Sequence, residues 1–207
     1  MVWCCCGRCW HRSRSRHDGY SVSLRPTQDA LAAVLRRYAI REGEFTLNSG
    51  RMSNWYLDGR QVSFRGDCLQ IVGDAITDAL SVAGIGADDY DAVGGPVVGA
   101  IPVALAVAMV TRKPSFAIRK APKDHGTGGQ IAGVLEAGQR VLIVEDTATT
   151  GGALLESLPA VEAMDCPIVA VSLLLDRGGE VAAKLAQRQI PYVPVLGAPD
   201  LGYQFGS

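Results

Sequence analysis

The chain has 207 residues, a formal net charge of −1 and 48% hydrophobic residues. That length suits one domain with a real core, and the near-zero charge excludes the broad basic footprint of a nucleic-acid binder. The longest apolar run, around Ile101 to Val110, is too short to span a bilayer and reads as a buried helix.

Residues 1–25 are polar, Arg/Ser-rich and without period, so they read as a disordered extension. Four of the six cysteines lie in the first nine residues, MVWCCCGRC. Cys6 and Cys9 have a C-x-x-C spacing, but only His11 and His17 are near, and a structural zinc site needs a second, separated ligand pair. RSRSRHD follows instead of an apolar stretch, so this is no secretory signal. A cytoplasmic protein with free thiols is the expectation.

Thr27 is expected to cap a helix with Leu31, Val34, Leu35 and Tyr38 on its apolar face, ending near Gly43. Phe45–Leu47 and Asn54–Leu57 read as short strands around a Ser49-Gly50-Arg51 turn. A second amphipathic helix carries Leu69, Val72, Ile76 and Leu80 and stops at Gly84. Strands and helices then alternate. Strands are expected at Tyr90–Val93, Ser115–Ile118, Val141–Val144, Ile168–Leu175 and Tyr192–Val195. Helices are expected at Ala100–Val110, Ala153–Met164 and Glu180–Gln189, with a polar loop over 120–130. This alternation predicts an α/β fold: a central parallel sheet flanked by helices, with ligands beyond the carboxyl ends of the strands.

One of those ends is unusual. In VLIVEDTATTGGALLES, a buried strand runs into two acids, Glu145 and Asp146, then into Thr147-Ala148-Thr149-Thr150-Gly151-Gly152-Ala153. Small residues before a helix let backbone N–H groups approach an anion, yet two carboxylates repel one. The conflict disappears for a ligand that presents hydroxyls to the acids and a phosphate to the amides, as a ribose 5-phosphate does. The spacing of a dinucleotide fold is missing after Val93, and no Gly-Lys-Ser/Thr of a nucleotide triphosphate loop exists.

The stretch resembles the signature of the type I phosphoribosyltransferases, which bind 5-phosphoribosyl 1-diphosphate (PRPP). The resemblance implies a Mg²⁺-dependent displacement at the anomeric carbon, the metal being carried by PRPP rather than held directly by the chain. Glu145 and Asp146 would hold the ribose hydroxyls and Thr147–Ala153 the 5′-phosphate. Departing pyrophosphate needs cations, and IRKAPKDHGTGGQIAG supplies Arg119, Lys120, Lys123 and His125 within seven residues, followed by glycines suited to a mobile lid.

That loop, with its R-K-x-x-K-D-H-G, is similar to the lid of the orotate phosphoribosyltransferases. The resemblance implies that Arg119, Lys120, Lys123 and His125 contact PRPP, with Lys120, Lys123, His125 and Asp146 as the catalytic set. It also implies a homodimer whose lids reach across to the neighbouring subunit. EFTLNSGRMSNWYLDGR, Glu44 to Arg60, resembles that family's small N-terminal hood, so Trp55 and Tyr56 read either as planar surface for a pyrimidine or as hood packing. In LLLDRGG, Arg177 would pair with the orotate carboxylate, and Thr149 would touch the base. Two positions depart from the family pattern: Asn48 and Gly99 stand where lysines are common. The resemblance covers about 27–201, within an expected domain of 26–207. It implies formation of orotidine 5′-monophosphate in pyrimidine synthesis, with no nucleic-acid or membrane partner. About thirty residues follow Arg177, too few for a fused decarboxylase, so the next step is expected on another chain. The rival readings are a purine phosphoribosyltransferase, disfavoured by the lid and Arg177, and a PRPP-sensing regulator, disfavoured by the intact lid.

Overall fold

The computed structural model describes residues 24–46, 52–121 and 129–204. The expectations for residues 1–23, for Asn48 and the Ser49-Gly50-Arg51 turn, and for Lys123 and His125 lie outside the described residues.

Helix α1, Pro26–Val34, starts one step before the expected cap. Pro26 occupies the first helical position, where its missing N–H costs nothing. Thr27 lies inside the helix, and its hydroxyl donates to Asp78 (2.6 Å), which also accepts from Arg25 Nε (2.6 Å). A π-helical turn, Leu35–Ala39, leads into strand β1, Ile40–Thr46. Gly43 does not stop a helix. It has φ 148° and sits where the register shifts between Glu42 and Phe45 in the antiparallel pairing with β2, Met52–Leu57. A short helix α2, Arg60–Ser63, was not expected from sequence, being too short to show a period. Helix α3, Leu69–Val82, follows, and Gly84 beyond it has φ 82°.

The main sheet contains β3 (Ala92–Pro96), β4 (Ser115–Ile118), β5 (Ile131–Gly133), β6 (Val141–Ala148), β7 (Ile168–Asp176) and β8 (Tyr192–Gly197). Its order is β5-β4-β3-β6-β7-β8. All neighbours are parallel except β4 and β5, which pair antiparallel through Phe116–Gly133 to Ile118–Ile131. Strand β5 lies where the sequence shows only a polar loop running out. Helices α4 (Ala100–Thr111), α5 (Gly152–Glu162) and α6 (Val181–Gln187) make the crossovers.

The strand period of two divides the core between the two faces of the sheet. Leu142, Val144 and Leu174 pack with Leu31, Val72, Ile76, Val103 and Val107 from α1, α3 and α4 and with Leu35 of the π-helical turn. Val141, Ile143, Val171 and Leu173 pack with Leu154, Leu158, Val161, Val181 and Leu185 from α5 and α6. On the first face α3 and α4 approach at Gly73, where a Cβ would lie 2.6 Å from the Ala106 carbonyl oxygen and 2.7 Å from Val110 Cγ2. Gly73→Ala is therefore expected to lower stability by about 1–3 kcal/mol, as overpacking does. Equilibrium urea unfolding checks this, and an unchanged midpoint would show that the two helices separate at no cost.

Candidate active site

The carboxyl ends of β3, β4, β6 and β7 meet on one rim of the sheet, which is where a parallel sheet presents its loops. Strand β6 continues four residues past Val144 to Ala148, so both carboxylates belong to the strand and not to the loop. Main-chain pairing holds them there, with Glu145 opposite Leu173 and Thr147 opposite Leu175 on β7. Glu145 is buried. Its Oε1 accepts from the Asp146 amide (3.1 Å), and Asp146 Oδ1 accepts from the Thr147 amide (2.7 Å).

Two glycines make room for Asp146. A Cβ on Gly99 would lie 2.8 Å from the Asp146 Cγ, and a Cβ on Gly59 would lie 3.0 Å from its Oδ2. The carboxylate thus rests against the backbone that opens α4 and against the turn that opens α2. Asp58 fixes that turn: its Oδ1 accepts from Arg60 Nε (2.7 Å) and its Oδ2 from Gln61 Nε2 (3.3 Å). The Arg60 bond holds the Asp58 carboxyl below the usual carboxylate range. The missing lysine at 99 acquires a physical meaning here, because any side chain at that position enters the space the Asp146 carboxylate fills.

Burial pushes the Glu145 carboxyl far above its usual range, and the adjacent Asp146 charge adds to it. Burial also raises Asp146, opposed by the Thr147 amide. As a unit the pair resists a second ionisation. It therefore offers both an acceptor and a protonated donor to a ligand that brings hydroxyls. Among the described residues no cluster of three or more His, Cys, Asp or Glu is arranged to hold a metal. The ionised member of the pair would suit a Mg²⁺ that arrives already bound to a diphosphate.

Only Thr149, Thr150 and Gly151 separate β6 from α5. Gly151 has φ 69°, and a Cβ there would lie 2.6 Å from Val181 Cγ2, so the tight entry to the helix depends on glycine. The amides of Gly152, Ala153 and Leu154 fall in the first turn, where a helix has no internal acceptors for them. A Cβ on Gly152 would lie 3.8 Å from Thr150 Oγ1, so a hydroxyl stands beside these amides, an arrangement able to cradle an anion.

Arg177 follows the end of β7 on the same rim. Its amide donates to the Ala148 carbonyl (2.9 Å), and Asp176 Oδ1 accepts from Gly178 N (2.8 Å). A Cβ on Gly179 would lie 2.1 Å from the Thr149 carbonyl oxygen, so this turn lies directly against the cradle. Arg177 is 8% exposed, and burial lowers its pKa from the free value. Its guanidinium lies over the Trp55 ring at 4.4 Å. Trp55 itself is fully buried and stacked on Tyr203 (4.3 Å, 14°), so of the two readings for this aromatic pair, packing holds for Trp55. Tyr56 is 39% exposed and tilted against Phe45 at 5.6 Å. The contribution of Tyr203 had no signal in the sequence, since an isolated tyrosine near the chain end belongs to no motif.

The ends of the cationic loop are tied together. The Arg119 amide donates to the Gln130 carbonyl (2.8 Å), and Gln130 Nε2 returns a bond to the Arg119 carbonyl (3.1 Å). Arg119 is half-buried and Lys120 exposed. Both line a cavity of about 150 Å³ with Pro96, Val97, Gln130 and Glu156. The Val97 amide donates to the Ile118 carbonyl (2.9 Å), which places the 95–99 loop beside the stem of the lid.

This geometry agrees with what the chain resembles. Its sequence matches the family described as phosphoribosyl transferase domain over residues 72–189, more than half the chain. An orotate phosphoribosyltransferase of Thermococcus gammatolerans is 35% identical over 81% of this chain and 87% of its own length. One of Mycobacterium avium is 35% identical over 86% of this chain and 97% of its own. Among solved structures, the Mycobacterium tuberculosis orotate phosphoribosyltransferase in complex with PRPP superposes with a TM-score of 0.70 at 31% identity, covering 86% of this chain and all of that one. The fold and the rim thus define a type I phosphoribosyltransferase. Within that class the chain belongs to the orotate phosphoribosyltransferase family.

Two outcomes follow from the acid pair. Gly99→Ala displaces the Asp146 carboxylate and is expected to reduce turnover on the order of 10²-fold, while the unfolding midpoint stays close to that of the unchanged protein. Steady-state kinetics beside urea unfolding checks this; unaltered turnover would mean that the carboxylate position is not critical. The second concerns pH. Glu145 is raised from 4.5 to about 9, so between those values the unfolded chain ionises it and the folded chain does not. Stability is then fully present below pH 4.5 and falls as pH rises towards 9. Glu145→Gln removes that titration, so its midpoint should fall less between pH 5 and pH 8 than that of the unchanged protein, with activity lost. Parallel slopes for the two proteins would rule out a strained acid at 145.

Proposed function

We propose that this chain transfers ribose 5-phosphate from PRPP to orotate, releasing pyrophosphate and forming orotidine 5′-monophosphate in UMP synthesis. The observation that carries the reading is one rim holding an acid pair for a sugar's hydroxyl edge, a helix N-terminus for its phosphate, and, on the turn packed against Thr149, Arg177.

In this reading Glu145 and Asp146 orient the ribose through its 2- and 3-hydroxyls, and the amides of 147–153 with the Thr149 and Thr150 hydroxyls bind the 5′-phosphate. That double grip fixes the anomeric carbon for in-line attack by a ring nitrogen of orotate. The transition state has oxocarbenium character, and the single negative charge that the acid pair carries stabilises it. Arg119, Lys120, Lys123 and His125 take up negative charge as pyrophosphate departs, with the lid excluding water that would hydrolyse PRPP. Arg177 receives the orotate carboxylate in its planar fork, and Thr149 touches the base. Mg²⁺ carried by PRPP would supply charge neutralisation at the diphosphate, and Asp146 would be the nearest carboxylate of this chain able to hold it.

The family resemblance further supports a homodimer with shared lids. Leu105 and Met109, one turn apart on α4, are 54% and 49% exposed, an apolar strip suited to cover by a second copy. No helix among the described residues is long and apolar enough to cross a membrane. Cys68 and Cys166 are free and buried, which supports residence in the reducing cytoplasm.

Loss of orotate absorbance with PRPP and Mg²⁺, beside a hypoxanthine control, is the deciding assay. Consumption of orotate alone is expected. Turnover of hypoxanthine would mark a purine enzyme, and PRPP binding without turnover of either would mark a regulator. In the same assay Lys123→Ala should lower kcat far more than it weakens orotate binding; equal effects would remove the lid from the chemistry.

A further inference from the structure

The C-terminal segment reaches the acceptor side of the rim through stacked rings. Strand β8 ends at Gly197, a 3₁₀ turn covers Ala198–Leu201, and Gly202 takes the left-handed conformation at φ 91°. That reversal lays Tyr203 flat on Trp55, with centroids 4.3 Å apart. The Tyr203 amide donates to the Ala198 carbonyl (3.1 Å) and its hydroxyl to Glu42 Oε1 on β1 (3.0 Å). Trp55 in turn lies beneath the Arg177 guanidinium at 4.4 Å. Three segments far apart in sequence, β2, the turn after β7 and the chain end, thereby meet in one column of planar groups.

We propose that Tyr203 and Trp55 are positioning residues for the acceptor, setting the plane of Arg177 so that its N–H edge meets the carboxylate of a flat anionic base. This rests on the reading of Arg177 as the orotate partner. Stacking uses the face of a guanidinium and none of its N–H donors, so a ring beneath it fixes the plane while the fork addresses a carboxylate. Bidentate recognition depends on that plane. Trp55 has no exposed surface for a ligand, so its role passes through Arg177. Tyr203 is held at both its amide and its hydroxyl, which stops the indole from tilting.

The experiment uses the full chain with Tyr203→Ala and Tyr203→Phe. Tyr203→Ala is expected to raise the orotate KM about tenfold while the PRPP KM stays within about twofold. Tyr203→Phe keeps the ring and should restore the orotate KM. A loosened fold would disturb both substrates, so equal rises in the two KM values overturn the proposal, as does an orotate KM unmoved by Tyr203→Ala or a Phe variant no better than Ala. A second readout needs no turnover. Tyr203 and Arg177 are linked through Trp55, so Tyr203→Ala and Arg177→Ala should be non-additive in a urea-unfolding double-mutant cycle, and additivity counts against the relay. A wild-type protein that leaves orotate unconsumed overturns the activity reading instead, and the unfolding cycle then decides the relay alone.

Discussion

Two carboxylates side by side at the end of a buried strand are an unfavourable arrangement for a folded chain, and the rim is organised around tolerating it. Each acid is desolvated, and the Asp146 charge further opposes ionisation of Glu145. The compensation is local and largely main-chain. The Asp146 amide serves Glu145, the Thr147 amide serves Asp146, and backbone at Gly59 and Gly99 leaves room for the second carboxylate. In the proposed reaction a ligand with vicinal hydroxyls and a positively charged reacting carbon would relieve this situation, turning electrostatic cost into selective binding of a transition state.

Around that pair the fold places complementary parts on separate elements. The helix after β6 supplies amides for a phosphate, the turn after β7 supplies a guanidinium, and the stem after β4 supplies Arg119 and Lys120. The strand order puts β6 in the interior of the sheet, between β3 and β7. Loops from both neighbours therefore flank the acid pair, the 95–99 loop on one side and the Arg177 turn on the other. The close approach of Gly179 to the Thr149 carbonyl ties the acceptor side to the phosphate side. Movement of one turn would be felt at the other.

Much of this was legible before any coordinates. The alternation of strands and helices is a periodic signal, and it located the helices α3, α4 and α5 and the strand β4 almost to the residue. The errors have physical causes. Gly43 was read as a helix stop, but tertiary pairing with β2 drew the chain into a strand through a bulge. Strand β5 is three residues long and exists because β4 has an edge to cover, a reason that lies outside its own sequence. The extension of β6 through its two acids was hidden because charged residues argue against a buried strand, and only pairing to β7 overrides that preference.

The sequence by itself determined the class of fold and the family, because periodicity, an acid pair before small residues, and a lysine-rich loop are all local patterns. It could not show why glycine stands at 99, since the reason is a carboxylate 47 positions later in the chain. Nor could it show that Trp55 lies under Arg177 with Tyr203 stacked on it. Those facts are contacts between distant segments, and the tertiary structure alone decides them, because packing brings together groups whose separation along the chain carries no periodic trace.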